Sequence, residues 1–312
     1  MPSLTMTASE LKCLSFIANH GRVRVSEIRK ELGTSSTQVS RILASLGEKG
    51  FIRTDKVGLS KLVSLSETKH ATLLRKLIIE FSHIRIDRLL SGPSLEVLSA
   101  ICFLRLKSRR DVAQNSLVSE ASAAKALEKM KQAGIVQKTG GAYILSSRFQ
   151  TLRDFVIEFR NYLKQKIALG FSEDALIAWE RNTEFIVESS RSEEKGEFAL
   201  TGVSAFPRFS IPLIGPKSYL FYSQFARKLR LEDIIVHALL IHMPSMLPVL
   251  LVWKKHRLEL DIKYLKEQAE KYGILNSVNK IIAYFASDGR RMAAGFPPWD
   301  EFRAKAKEYG LL

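Results

Sequence analysis

Cysteine is scarce in this chain. Only Cys13 and Cys102 occur in 312 residues, each inside an apolar helical pattern. That placement excludes a disulfide framework and a cysteine-ligated zinc, and it suits buried thiols in a reducing compartment. Acid is also in short supply, with 32 Asp+Glu against 48 Lys+Arg, a formal charge of +16. A field of that sign draws polyanions, nucleic acid first among them. The N-terminus shows no basic segment followed by an apolar one, so no signal peptide is expected. One uncharged run, Ile234 to Trp253, has the twenty-residue length of a membrane span. His237, His242, Pro244 and Pro248 interrupt it, and it reads as a buried helix ending near His242, a proline-bounded turn and a buried strand over Leu247–Trp253. No membrane insertion is expected of it. Nowhere does a nucleophile with a base partner, a Gly-rich phosphate loop or a cysteine cluster stand out, so no catalytic residue, bound metal or cofactor is expected.

The charge is uneven. Residues 1–148 carry 24 Lys+Arg and 12 Asp+Glu, whereas residues 149–312 carry 24 and 20. A polyanionic partner is therefore expected on the first half. There, Leu11, Leu14, Ile17 and Ala18 form a helical stripe with Thr7 or Ser9 as N-cap. Val25, Ile28 and Leu32 share the face of a second helix, which Ser26 can cap and Gly33 stops. In the next segment Val39, Ile42, Leu43 and Leu46 fall at i, i+3, i+4, i+7. That spacing leaves Thr37, Gln38, Ser40, Arg41 and Ser45 outward, beside Ser36 at the helix start. Gln suits adenine and Arg suits guanine in a major groove, while Ser and Thr take base edges or phosphates. Thr34 and Ser35 add hydroxyls at a helix N-terminus that already favours phosphate. After Gly50 comes a hairpin, Phe51-Ile52-Arg53, a polar turn through Asp55 and Gly58, then alternating Lys61 to Leu65, from which Arg53, Lys56 and Lys61 project.

Helix, helix, helix and basic hairpin, with Leu43, Leu46, Lys49, Gly50, Phe51 and Ile52 in this spacing, resemble a MarR-like winged helix-turn-helix over roughly residues 7–67. The resemblance implies a third helix in the major groove, reading through Thr37, Gln38, Ser40 and Arg41. It also implies a wing that grips the DNA backbone through Arg53, Lys56 and Lys61.

Ser119–Val136 aligns without a gap on Ser35–Ile52 at an offset of 84 residues. Val39, Ile42, Leu43 and Leu46 meet Ala123, Ala126, Leu127 and Met130, and Gly50 meets Gly134. Leu95, Leu98 and Ile101 supply a first helix and Gln137–Leu145 a Gly-Gly hairpin, so a second winged helix is expected over 93–148. Its reading face is poorer, since Glu120 and Ala121 stand where Ser36 and Thr37 stood. Ser122, Lys125, Lys129 and Lys138 remain candidates for DNA contact, and a purely structural module stays open beside that reading.

From about Ala175 strands and helices alternate. "FALTGVSAF" together with the segment from Leu258 to Phe285 is similar to the C-terminal domain of AbiEi-type antitoxins, which implies a nucleotidyltransferase-like fold. Active members of that fold hold metal on two alternating carboxylates following a Gly-Ser. Here Val203 separates Gly202 from Ser204, and the following segment to Ser223 has no acid. Glu259 and Asp261 alternate but come late, and Asp261 is placed to cap a helix.

The expectation is an α+β chain: tandem winged helix-turn-helix domains followed by an α/β mixed-sheet domain. The winged helix spans 1–67, a linker helix 68–92, the second module 93–148 and another linker helix 149–175. Residues 176–312 form an inactive nucleotidyltransferase-like sensing or partner domain. The expected function is non-enzymatic, sequence-specific binding of double-stranded DNA as a cytoplasmic, nucleoid-associated transcriptional regulator. A homodimer or protein partner is expected through the linker helices or C-terminal domain. A nucleotidyltransferase-type nucleic-acid-modifying enzyme and a winged-helix protein scaffold are the alternatives.

Overall fold

A computed structural model describes residues 3–58, 60–213, 215–224, 228–241 and 245–311. The chain divides into two compact units, Met1–Lys164 and Gln165–Leu312. The α+β class is as expected.

In the first unit, α1 (Ala8–His20) begins at a capping box: Glu10 N–H donates to Thr7 Oγ1 while Thr7 N–H donates to Glu10 Oε2. Two residues of extended chain, β1 (Val23–Arg24), lead into α2 (Val25–Leu32), α3 (Ser36–Glu48), β2 (Ile52–Val57) and β3 (Ser60–Leu65). The three strands form an antiparallel sheet in the order β1-β3-β2. Ser26 is not the cap of α2. Pairing of Val23 with Val63 and of Arg24 with Leu62 holds the chain extended to Arg24, which becomes the N-cap, and Glu27 accepts its N–H. Gly33 ends α2 in the left-handed region, as the sequence implied.

Then follow α4 (Lys69–Glu80), the short α5 (Ile86–Leu89), α6 (Ser94–Phe103), α7 (Arg109–Ser116) and α8 (Glu120–Gln132), with a hairpin of β4 (Val136–Thr139) and β5 (Ala142–Leu145). The 84-residue offset is retained in the elements: Ser35 caps α3 and Ser119 caps α8, and Gly50 and Gly134 follow with φ of 73° and 68°.

The 22-residue α9 (Gln150–Phe171) comes next. One core joins all of this, running from Leu4 to Leu163, with Leu74, Leu77 and Ile78 of α4 and Phe155, Phe159 and Leu163 of α9 inside it. Buried polar seats interrupt it, among them those at Arg160 and His70. Arg160, 1% exposed, donates to Glu96 and Ser99, and the same Glu96 accepts Leu4 N–H. His70, also 1% exposed, lies between Phe51, Phe159 and Tyr162, and its Nε2 donates to Lys49 O at 3.0 Å.

The second unit holds β6 (Leu176–Arg181), β7 (Glu184–Ser189), β8 (Phe198–Leu200) and β9 (Ser218–Tyr222) in the order β6-β7-β9-β8. Every described pairing is antiparallel, so the sheet is not the mixed one expected. Hairpin-like returns, rather than crossover helices, join its neighbours β6 and β7. Helices α10 (Leu231–Leu240), α11 (Leu247–Lys255), α12 (Ile262–Lys271), α13 (Leu275–Ala286) and α14 (Trp299–Glu308) build a second core. The strand expected over Leu247–Trp253 is helix α11. Val249–Trp253 is buried on all sides, so periodicity carries no signal there, and Pro248 sits in the first turn, where a missing N–H costs nothing. The expected turn at His242 and Pro244 lies outside the described residues. Among the described residues no helix is long and apolar enough to cross a membrane.

Burial pushes the His70 imidazole down from 6.5 to about 4, against the opposing pull of the Lys49 carbonyl and the Glu158 charge. The unfolded chain binds this proton near 6.5 and the folded chain only near 4. Stability is therefore full above 6.5 and is lost as pH falls through that window. The loss is expected to reach about 3 kcal/mol. Urea unfolding across the window should show a shallower pH slope for His70→Gln than for the wild type. Equal slopes would mean that His70 is not held neutral.

Candidate nucleic-acid interface

Helix α3 presents Ser36, Thr37, Gln38, Ser40 and Arg41 to solvent, while Val39, Ile42 and Leu46 fill the core. Ser35 Oγ accepts Gln38 N–H at 3.3 Å, which fixes the first turn. Among the described residues Arg41 has no ion-pair or hydrogen-bond partner, so its guanidinium is available to an incoming acceptor. Arg29, which the sequence reading did not single out, donates to Ser36 Oγ at 3.3 Å. Its place in the last turn of α2, just before the Gly33 turn, was the available signal.

Ser45 does not face outward. Its hydroxyl donates to Glu10 Oε1 at 2.6 Å, and Lys49 Nζ donates to the same oxygen at 2.7 Å. Position 45 lies roughly 60° around the helix from Ile42, at the margin of the buried face, where α1 covers it. Burial raises the Glu10 carboxyl, but hydrogen bonds from Lys49, Ser45 and Thr7 N–H, with the Lys49 charge, hold it below its ordinary value. An ionised Glu10 thus ties the start of α1 to the end of the exposed helix.

In the wing, Lys56 and Lys61 are exposed and sit directly opposite each other across β2 and β3. Two cations at that distance repel, and among the described residues neither has an acidic partner. Arg53 is engaged, donating to Ser64 Oγ at 3.1 Å and to Glu67 at 3.0 Å, and Arg22 pairs with Asp55 at 2.9 Å. Both pairs are exposed, so each holds weakly and yields readily to a phosphate.

The second module is less available. Ser122 is half-buried, its backbone N–H and its hydroxyl both bonded to the cap residue Ser119. Lys129 turns inward, donating to Arg88 O at 2.5 Å, and burial and the nearby Lys125 lower its pKa. It is therefore less available to a phosphate than Lys125 or Lys138. Lys125 and Lys138 stay exposed, the latter 5.4 Å from the centre of the Tyr143 ring.

Elsewhere, Ser204 Oγ accepts Tyr219 N–H at 2.9 Å, His256 pairs with Glu259 at 2.9 Å, and Asp261 caps α12 through Tyr264 N–H. Glu259 and Asp261 thus serve different partners. Buried His237 meets Thr201 Oγ1 at 2.8 Å. Among the described residues no group of three or more His, Cys, Asp or Glu is arranged to hold a metal ion.

Residues 4–58 match the model of the MarR family. The N-terminal module is a MarR-family winged helix-turn-helix. The match covers α1 through β2, the segment that presents Arg41 and Lys56. Residues 195–311 match a second family model, described as HVO_2833_C, C-terminal, which takes in β8, β9 and α10 to α14. No curated protein matches the chain.

Ser45→Ala is expected to lower stability by about 1 kcal/mol, because it leaves Glu10 short of a donor. DNA base preference should be unchanged. Denaturant unfolding and a binding-site selection on the same variant check both halves, and an altered preference with intact stability would return Ser45 to the reading face.

Proposed function

We propose that the protein is a non-enzymatic, sequence-specific double-stranded DNA-binding protein acting as a transcriptional regulator. The MarR-family module supports DNA binding as such. The observation that carries sequence choice is the exposed row Thr37, Gln38, Ser40 and Arg41 on one helix, with Arg41 lacking a described partner. Lys56 and Lys61 supply phosphate neutralisation at the wing, joined by Arg24 and, once released from their exposed pairs, Arg22 and Arg53.

In this reading residues 93–148 are a second winged helix kept as a structural partner. Matching caps and turn glycines at the 84-residue offset support the kinship, and the inward Lys129 and half-buried Ser122 support the reduced role. The C-terminal unit is a sensing or partner domain. Kinship with the nucleotidyltransferase-like domain of AbiEi-type antitoxins is compatible with that role, because Ser204, Glu259 and Asp261 all serve structural bonds.

Selection of bound duplexes from a random pool is expected to enrich one motif. Arg41→Ala should weaken binding to that motif by about 1–3 kcal/mol while sparing unrelated duplexes. The Lys56→Ala, Lys61→Ala double variant should instead weaken all duplexes alike and flatten the salt dependence by roughly one to two counterions. Equal loss on every sequence for Arg41→Ala would move that residue to the phosphate class. No enriched motif at all would favour the scaffold reading.

A further inference from the structure

In the second unit a groove of about 730 Å³ runs beside β8. Apolar side chains line it, with Leu200, Phe209 and Leu229 half-buried. Its rim is cationic at Lys195, Arg208 and Lys228, with Glu194 and Glu197 between them. That size and that division into apolar lining and few polar groups fit a small organic molecule.

The groove already shows what it recognises. Strand β8 is an edge of the sheet, so its outward N–H groups have no ladder partner. Leu200 N–H donates instead to Glu194 Oε1 at 2.7 Å, and Arg208 Nη1 donates to the same oxygen at 2.9 Å. A backbone N–H and a guanidinium converging on one carboxylate oxygen make an anion seat. Its occupant is held loosely. The Glu194 and Arg208 side chains are 42% and 51% exposed, and an ion pair that open contributes little. The contact with Arg208 keeps Glu194 below its ordinary pKa, so it sits there as the anion.

We propose that this groove binds small monocarboxylates with an apolar or aryl body, the ligand carboxylate displacing Glu194 from Arg208 and Leu200 N–H. The body of the ligand lies on Leu200, Phe209 and Leu229, and Lys195 and Lys228 attract the anion. Glu194 is then the internal competitor that keeps the seat filled when no ligand is present. The inference stands apart from the DNA-binding reading, since it concerns another unit and is tested without DNA.

The test uses the full chain, with 3-phenylpropionate as probe and its neutral isostere 3-phenylpropanol as comparator, followed by calorimetry and by the backbone amide resonance of Leu200. Saturable binding of the carboxylate that moves the Leu200 amide is expected, with the alcohol roughly ten-fold weaker. Arg208→Gln should weaken the carboxylate by a similar factor, whereas Glu194→Gln should tighten it several-fold, because the competitor loses its charge. The wild-type comparison of acid with alcohol stands even if a variant fails to fold. Equal binding of acid and alcohol would overturn carboxylate recognition. So would the absence of saturable binding to both the wild type and Glu194→Gln.

Discussion

Lys49 and Gly50 leave the end of α3, and the next residue, Phe51, opens the wing. Almost every polar group of that short link is tied down. Lys49 Nζ reaches Glu10 of α1 and Thr5 O, and Lys49 O accepts from His70 of α4. Gly50 O accepts from both Ser66 and Thr68. Phe51 is fully buried, edge-on to His70 and Phe159. Gly50 itself has φ of 73°, and a Cβ there would lie 2.4 Å from the Tyr162 ring of α9, so both conformation and space require glycine. The angle between helix and wing is thereby set jointly by α1, α4 and α9. The proposed roles of α3 and the wing need a fixed relation between them, and this link supplies it.

Charge follows the same division. Inside the first unit the cations Lys49 and Arg160 each meet a buried carboxylate, Glu10 or Glu96, that other donors also satisfy. Removing one partner from such a seat leaves a buried charge uncompensated, which costs several kcal/mol, about 3–5 in comparable cases. Outside, Arg41, Lys56 and Lys61 keep their charge uncompensated by described neighbours, and Arg22 and Arg53 are bound only through solvent-exposed pairs. Part of the basic surplus of residues 1–148 thus reaches solvent on α3 and the wing, and part of it at other exposed cations such as Lys76, Arg109, Arg110, Lys125 and Lys138.

Much of this was legible in the sequence where periodicity met a stop signal. Val39, Ile42 and Leu46 declared the buried face of α3, Gly33 the end of α2, and Gly50 the turn from α3 into the hairpin. Thr7 and Asp261 were recognisable caps and act as such. What escaped reading depended on partners distant in the chain. Two residues of β1 pair with β3 about forty positions away, and no local pattern announces a strand that short. Ser45 looked outward because its acceptor, Glu10, is 35 positions upstream. The segment Leu247–Trp253 is apolar throughout, so a buried strand and a buried helix write the same letters there. The antiparallel character of the second sheet depends on connections, which strand-by-strand patterning does not encode.

Ser45 and Lys129 occupy equivalent places at the 84-residue offset, and both turn inward, one onto a carboxylate of α1, the other onto a carbonyl of α5. At that offset Ser45 ties α3, and Lys129 ties α8, to chain that precedes it. The two segments differ at the next turn. Gly50 is pressed against Tyr162, whereas a Cβ on Gly134 would meet nothing within 4 Å. Both glycines answer the same left-handed backbone, yet only the first is also clamped by α9. The exposed residues change in parallel, from Ser36 and Thr37 to Glu120 and Ala121, which offer a phosphate a negative charge and a methyl group. A glycine clamped by an aromatic ring and a row of hydrogen-bonding side chains thus occur together at α3, and α8 lacks the clamp. A fixed link matters only to a helix that has something to read, and this coincidence is the physical support for the proposal that α3, rather than α8, reads sequence.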